Sequence, residues 1–302
     1  MCAAGLKAVP AVDDGGWMAG SPDGSDDIPW LDLGIAGEPE LLFQPAVDLA
    51  TGLLLGFEAL LRWSDPVQGR ISPTELIPWA ETNGHMEALN RWVLSEACGQ
   101  AAGWGSALQL AVNCSVFQLR RNEVAAAAAM ALETSGLDPN RLTIEVTEPA
   151  LADDHALADL RAISRLGVQL SVDNLRSDWW ALGKLQPFTV NSARPFAVNT
   201  MKIDGSLIER IDEVGSVNRA VVKTIVRVSH SLDLRTVAEA VETATQVAVL
   251  QELGVDVAQG YFFAPPLPAD EATALTAIAL PYFPLTDSHA KHLRRPAPSP
   301  LA

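Results

Sequence analysis

The sequence has few cysteines and no long apolar run. Its three cysteines, Cys2, Cys98 and Cys114, are odd in number and irregularly spaced, so they suggest neither a disulfide framework nor a zinc site shared with the five histidines. No stretch of about 18 apolar residues free of charges occurs, which predicts no membrane span. The first residues lack a sustained apolar segment, which predicts no signal peptide. These absences favour a cytoplasmic protein.

Positive charge is also scarce. The chain has 21 Lys and Arg against 37 Asp and Glu, for a net charge of −16. Such a charge repels nucleic acid polymers at long range, so we expect none as a partner. A small phosphate-bearing ligand remains compatible where metal ions or local cations hold it. No Ser/His/Asp or Cys/His set suggests covalent catalysis.

Composition divides the chain into three segments. Residues 1–37 combine many aspartates with Gly, Pro and Ser, a mixture that predicts an unstructured acidic tail. Residues 283–302 are rich in proline and predict a second tail. The segment between them, 38–282, has the length of one barrel domain.

Within this domain, strand-length apolar segments alternate with helical patterns, which is typical of βα units and a parallel sheet. A turn at Ala50-Thr51-Gly52 predicts that the first two strands are antiparallel. Eight strands with flanking helices predict a closed α/β barrel. The predicted strands are 41–48, 53–61, 108–113, 142–147, 168–173, 199–204, 235–240 and 255–260.

Helix boundaries carry their own signals. Ser72-Pro73-Thr74-Glu75 has the pattern of a capping box with proline at the first helical position, and it predicts a helix over 74–83 that Gly84 ends. Gly167 is expected to end a helix over 154–166, and Gly254 to end the helix before the last strand.

Four predicted strands end in polar residues on one face. Asn113, Glu145, Asp173 and Lys202 each lie opposite the apolar side chains of their strand, so in a barrel they point inward and meet at the carboxyl-terminal mouth. Any one of them alone could be a solvated strand end, but four share the same register. Three offer oxygen ligands, which suit Mg²⁺ or Mn²⁺ better than zinc.

Several motifs then occur in a fixed order. They are Phe43-Gln44-Pro45, the segment GFEALLRW over 56–63, Val112-Asn113-Cys114-Ser115, Glu145-Val146-Thr147-Glu148, Lys202-Ile203-Asp204, the segment AEAVET over 238–243, and Gln259-Gly260-Tyr261-Phe262. In this order they resemble the EAL domain family over residues 40–268. The resemblance implies a TIM-type (β/α)8 barrel with an antiparallel first strand. It also implies metal-dependent hydrolysis of cyclic di-GMP to linear pGpG in bacterial second-messenger signalling.

The resemblance further implies roles for ten residues. A pair of divalent ions, Mg²⁺ or Mn²⁺, would be held by metal ligands. Lys202 and Glu239 would be catalytic, and three further positions would contact the cyclic di-GMP. The implied metal ligands are Glu58, Asn113, Glu145, Asp173 and Asn174, and the implied ligand contacts are Gln44, Arg62 and Gln259.

The family's second metal loop reads DDFGTGYSS, whereas this chain has DNLRSDWWA over 173–181. Asn174 lacks the charge of the second aspartate, which weakens the second metal position. Asp178 is an alternative ligand, and Trp179-Trp180 either stacks on guanine or packs against a helix. An insertion near 187–196 lies where the family often dimerises. Three functions therefore stay open: a phosphodiesterase, a cyclic di-GMP receptor with little turnover, and a protein-interaction scaffold; a homodimer and a protein partner also stay open.

Overall fold

Strands and helices alternate along the chain, as the apolar periodicity predicts. The computed structural model describes residues 37–66, 69–175 and 198–277. The strands are β1 Glu38–Asp48, β2 Leu54–Asp65, β3 Gly69–Ile71, β4 Gln109–Asn113, β5 Leu142–Thr147, β6 Gln169–Leu175, β7 Thr200–Ile203, β8 Arg235–Ala238 and β9 Val257–Gln259. The helices are α1 Pro73–Asn83, α2 Met86–Ala102, α3 Val116–Arg120, α4 Val124–Ser135, α5 Glu148–Leu151, α6 Ala156–Arg165, α7 Gly205–Ile208, α8 Val217–Ser231, α9 Ala244–Leu253 and α10 Ala269–Thr276.

The described residues form two compact units. The first contains 37–40 and 61–89, and the second contains 41–60 and 90–277, each without its undescribed residues. Apart from Gly37, both predicted tails lie outside the described residues. The same holds for Asp178, Trp179-Trp180 and the insertion near 187–196.

The second unit is a closed barrel of eight strands. Its strands follow the order β1-β9-β8-β7-β6-β5-β4-β2, and β1 also pairs with β2. Strand β2 and strands β4 to β9 run parallel to one another. Strand β1 is antiparallel to β9. This confirms the predicted barrel and its antiparallel first strand.

Apolar side chains on one face of the strands form the layer between sheet and helices. Leu110, Ile144, Leu170 and Met201 are fully buried on four successive strands. Successive side chains of a strand point to opposite faces, so on each strand the residues that alternate with these apolar side chains point into the barrel. This alternation places Asn113, Glu145 and Lys202 on the inner face.

The first unit contains the end of β2, the short strand β3 and helix α1. β3 pairs antiparallel with β2, with Trp63 opposite Ile71. Ser72 caps α1 by accepting the N–H of Thr74, one residue before the capping-box position, and Gly84 ends the helix at φ 77°. The predicted N-cap residue and the glycine stop are both present, whereas the bond from Ser72 goes to Thr74 and not to Glu75 as a capping box requires.

Strands β8 and β9 end earlier than predicted, for reasons of backbone geometry. β8 ends at Ala238 instead of 240, and Ala240 has φ 53°. β9 ends at Gln259, and Gly260 follows with φ 151°. A residue with a positive φ cannot continue a strand, so the backbone turns after β8 and after β9. Among the described helices, none is long and apolar enough to cross a membrane.

Candidate active site at the carboxyl ends of the barrel strands

Five parallel strands of the barrel carry polar side chains near their carboxyl ends. Asn113 is the last residue of β4 and lies beside Glu145 of β5. Asp173 lies on β6, Lys202 on β7, and Gln259 is the last residue of β9. In barrels of this type, the carboxyl ends of the strands carry the active site.

The Lys202 ammonium lies among four carboxylates. Its Nζ atom is 2.7 Å from Glu145 Oε2, 2.8 Å from Glu239 Oε1 and 3.0 Å from Glu58 Oε2. Asp173 Oδ1 lies 3.7 Å from the same atom. The Lys202 side chain is only 1% exposed, so water screens these ion pairs poorly. The structure therefore brings five of the predicted site residues into one cluster.

Two amides complete the cluster by donating to Glu58. Asn113 Nδ2 lies 2.6 Å from Glu58 Oε1, and Gln259 Nε2 lies 2.6 Å from Glu58 Oε2. Glu58 thus accepts from Asn113, Gln259 and Lys202 while 5% exposed. These bonds fix the orientation of the carboxylate.

The ionisation of Glu58 and Lys202 is mutually supported. Burial favours the neutral form of Glu58, but Lys202 and the two amides outweigh it and lower its pKa. Burial likewise favours neutral Lys202, but the surrounding carboxylates, Glu145 foremost, raise its pKa well above the usual value. A buried charge is tolerated when it is paired and hydrogen-bonded.

The other carboxylates respond to an excess of negative charge. Burial, and then the neighbouring Glu58, raise the pKa of Glu145 well above its usual value despite Lys202. Burial raises the pKa of Glu239 to about 7, against the lowering effect of Lys202. One ammonium does not balance four carboxylates, of which Glu58 and Glu145 are buried and Asp173 and Glu239 partly buried, so the cluster favours a further positive charge.

The donor chemistry of the cluster fits a hard divalent cation. Glu58, Glu145 and Asp173 supply carboxylate oxygens and Asn113 an amide oxygen, the ligands that Mg²⁺ and Mn²⁺ prefer. As the side chains stand, no three acidic, histidine or cysteine groups within the described ranges are arranged to hold a metal ion. The Lys202 ammonium pairs with the carboxylates instead. The fit is therefore one of chemistry and charge, and a preformed cage is not present.

A cavity of about 460 Å³ opens beside the cluster. Its volume lies in the range of small-molecule sites, roughly 300–1,000 Å³. Tyr261 is 68% exposed and offers an aromatic face at this cavity. Its polar and aromatic lining residues are Gln44, Glu58, Glu239, Glu242, Gln259 and Tyr261.

Three predicted site residues need separate mention. Gln44 lines this cavity with Glu58 and Gln259. Arg62 belongs to the first unit, where its Nη1 donates to the carbonyl of Leu61 at 2.8 Å. Asn174 lies on β6, but its side chain lies outside the described part of the chain.

Sequence reasoning missed several residues of the cavity. Glu242 and Tyr261 line it, as do Gly205 and Ala240. All but Gly205 lie inside the segments 238–243 and 259–262 that carry the family motifs. Position within a motif was the available signal, but the side-chain alternation of strands does not extend into the turns where these residues lie.

Comparison with known proteins identifies the family. A family model described as EAL domain matches residues 32–266. The cyclic di-GMP phosphodiesterase NbdA of Pseudomonas aeruginosa is 35% identical over 235 residues, which cover 76% of this chain and 29% of NbdA. The cyclic di-GMP phosphodiesterase PdeR of Escherichia coli is 31% identical over 250 residues, which cover 80% of this chain and 36% of PdeR. The chain thus spans about a third of the length of these relatives.

Solved structures agree. A structure of the PaMucR phosphodiesterase in complex with c-di-GMP is 33% identical, has a TM-score of 0.69, and covers 77% of this chain and 93% of its own. An EAL domain protein from Listeria monocytogenes is 26% identical with a TM-score of 0.65, and covers 77% and 90%. With the motifs, the barrel and the family match in agreement, the chain belongs to the EAL domain family.

Proposed function

We propose that this EAL domain hydrolyses cyclic di-GMP to linear pGpG with Mg²⁺ or Mn²⁺ as cofactor. The observation that carries the proposal is the buried cluster of Glu58, Glu145, Asp173 and Glu239 around Lys202. A structural role alone does not need so many carboxylates around one ammonium, because buried ion pairs contribute little net stability. The family's curated relatives include cyclic di-GMP phosphodiesterases, which supports this substrate.

The metal-binding role falls to the oxygen donors of the cluster. Glu58, Asn113, Glu145 and Asp173 would hold the first ion, and Asn174 lies at the position of the second. Bound divalent ions lower the pKa of a water molecule and stabilise negative charge on a phosphate. Asn174 contributes no charge, so the second ion is held more weakly.

Lys202 and Glu239 act on the reacting atoms. With a pKa near 7, Glu239 can accept the proton of the attacking water at neutral pH, where a general base works best. Lys202 donates hydrogen bonds and positive charge toward the phosphate oxygens. The water oxygen bonds to phosphorus, one ester bond to a ribose oxygen breaks, and that oxygen takes up a proton.

The two phosphates of the substrate need more positive charge than the single ammonium of Lys202 supplies. Cyclic di-GMP carries two phosphates, and the cavity beside the cluster contains Glu239 and Glu242. We assign phosphate binding to Arg62, whose planar guanidinium suits two oxygens. Gln44 and Gln259 supply neutral hydrogen bonds to the ligand.

Incubation of the purified protein with cyclic di-GMP and Mn²⁺ or Mg²⁺, followed by chromatography, tests the proposal. The expected product is pGpG, and Glu58→Ala is expected to form none because no neighbouring side chain replaces the lost carboxylate. Turnover by Glu58→Ala at the wild-type rate would refute the site assignment.

A second candidate is a cyclic di-GMP receptor with little turnover, favoured by Asn174 at the second metal position. If charge is the cause, Asn174→Asp raises turnover and lowers the metal concentration for half activity, while cyclic di-GMP affinity in Ca²⁺ stays unchanged. No turnover in either protein, together with binding in Ca²⁺, identifies a receptor. If neither protein hydrolyses or binds cyclic di-GMP, the function that remains is a protein-interaction scaffold.

A further inference from the structure

Gly205 and Ala240 make a close contact between two elements that carry catalytic candidates. Gly205 begins α7, three residues after Lys202 on β7. Ala240 follows Glu239 directly. A Cβ atom added to Gly205 would lie 2.6 Å from the Cβ of Ala240. Real Cβ atoms do not approach so closely, so Gly205 has no room for any side chain.

Ala240 holds an unusual backbone conformation at this contact. Its φ of 53° lies in the left-handed region, which is unfavourable for a residue that carries a side chain. The backbone of Ala240 is therefore strained, and its methyl group lies against Gly205.

This contact lies next to the ion pair of Lys202 and Glu239. Their charged atoms are 2.8 Å apart, and the N–H of Glu239 donates to the carbonyl of Ile203 at 3.2 Å. Two contacts thus join the segment after β7 to the segment after β8: this hydrogen bond and the contact between Gly205 and Ala240. Neither contact partner has a flexible side chain that could move aside.

We propose that Gly205 is a positioning residue. Because it has no side chain, its backbone packs closely against the methyl group of Ala240, and this contact sets the separation of Lys202 and Glu239. A methyl group at position 205 must push the start of α7 away from Ala240. That shift moves the end of β7, and with it the Lys202 ammonium. The consequence for turnover rests on the proposed function, but the displacement of Lys202 does not.

Three variants test the proposal. Gly205→Ala creates the clash, and the double variant Gly205→Ala/Ala240→Gly removes it by deleting the opposing methyl. Gly99→Ala is the matched control, because Gly99 is exposed on α2 with open space at its Cβ position.

The first readout needs no catalysis. The chain has five lysines, and a buried, ion-paired ammonium exchanges slowly enough to give a ¹H–¹⁵N signal, assigned with Lys202→Arg. We expect Gly205→Ala to shift or lose this signal, and the double variant and Gly99→Ala to retain it. Circular dichroism confirms that each variant is folded.

The second readout is kinetic. A displacement of about 1 Å in a reacting group can cost roughly 100-fold in rate, so we expect Gly205→Ala to lower kcat tenfold or more with little change in KM, and the double variant to recover it. A loss of stability alone would reduce the active fraction and be corrected by the folded concentration. Should the wild type have no turnover, the proposed function fails while the ammonium signal still decides the positioning role.

Two results would overturn the inference. One is a Gly205→Ala variant whose Lys202 signal matches that of the wild type. The other is a double variant that is folded and yet no closer to the wild type than Gly205→Ala, because the clash would then not be the cause.

Discussion

The Lys202 ammonium is a single buried positive charge whose neighbours are mostly negative. Removing one member of a buried charge cluster is costly because the remaining charges lose their partner. A divalent ion would stabilise the same carboxylates that Lys202 now pairs with. Lysine and a bound metal ion would therefore act on one set of oxygens, and their effects on stability would be linked.

Lys202→Met tests this linkage. In EDTA, we expect the variant to lose about 3–5 kcal/mol of unfolding free energy, as for other broken buried ion pairs. Mn²⁺ should then stabilise Lys202→Met more than the wild type, since it supplies the missing charge. Urea unfolding with and without Mn²⁺ measures both effects. Lys223→Met, at an exposed position of α8, is the control, and equal stability of the two variants would refute the role of the cluster.

Glu239 makes stability depend on pH. Its pKa is raised to about 7 from an ordinary 4.5, so folding favours its protonated form. The stability that this proton contributes is present below pH 4.5 and is lost as the pH rises through 7. Gln cannot ionise, so between pH 5 and pH 8 in EDTA we expect Glu239→Gln to gain roughly 1–3 kcal/mol relative to the wild type.

Urea unfolding at the two pH values measures this gain. Glu133→Gln, on the exposed face of α4, should show the same difference from the wild type at both. A difference for Glu239→Gln that is also independent of pH would contradict the raised pKa.

At the scale of elements, helix α4 takes its cap from another helix. Its N-cap residue Glu123 makes no side-chain capping bond. Instead, Asp159 of α6, only 1% exposed, accepts the N–H groups of Val124 at 3.0 Å and Ala125 at 3.2 Å. A carboxylate at a helix N-terminus also interacts favourably with the helix dipole. Asp159 therefore joins two helices of the barrel's outer layer.

Asp159→Ala should destabilise the protein by about 2–4 kcal/mol, because it leaves the buried N–H of Val124 and the partly buried N–H of Ala125 without their acceptor. Asp154→Ala, at an exposed position just before α6, should change stability by less than about 0.5 kcal/mol. Calorimetric or urea unfolding compares the two. Equal small effects would mean that water or another acceptor satisfies α4.

Elements were predictable where periodicity was long and strong. The barrel strands and the stops at Gly84 and Gly254 follow from alternation and glycine alone, and both stops are found. β3 was missed because three residues are too few for a periodic signal. The early ends of β8 and β9 were missed because a positive φ at Ala240 is set by tertiary packing, which overrides local preference.

The site was predictable to the level of strand faces. Alternation placed Asn113, Glu145, Asp173 and Lys202 at one mouth, and the structure brings them together. It could not show that Lys202 pairs with four carboxylates, or that Asn113 and Gln259 turn their amide nitrogens toward Glu58. Those contacts depend on side-chain torsions and on residues far apart in the chain.

At the scale of the whole barrel, the interior contains open space that extends from the starts of the strands to Glu58, Glu145 and Gln259 of the cluster. A cavity of about 380 Å³ is lined by residues from the starts of several strands. Ser171, 1% exposed, points its hydroxyl there without a hydrogen-bond partner among the described residues. Polar lining residues near the starts of the strands include Gln109, Thr143, Gln169, Ser171, Thr200 and Arg235.

Ser171→Val should therefore stabilise the barrel by roughly 1 kcal/mol, because it buries more apolar surface and removes an unpaired hydroxyl. Thr236→Val is the matched control. Its hydroxyl donates to Asp256 Oδ2 at 2.7 Å, so its loss should cost about 1–2 kcal/mol. If Ser171→Val is equally destabilising, the hydroxyl is satisfied by solvent in the cavity.

The central claim is that cyclic di-GMP is hydrolysed at the carboxylate cluster around Lys202. Its most direct test is the initial rate of pGpG formation as a function of Mn²⁺ concentration, for the wild type, Glu145→Gln and the surface variant Glu133→Gln. We predict saturable activity for the wild type and Glu133→Gln, and no activity or a much higher Mn²⁺ requirement for Glu145→Gln. Identical Mn²⁺ curves for all three proteins would contradict the account.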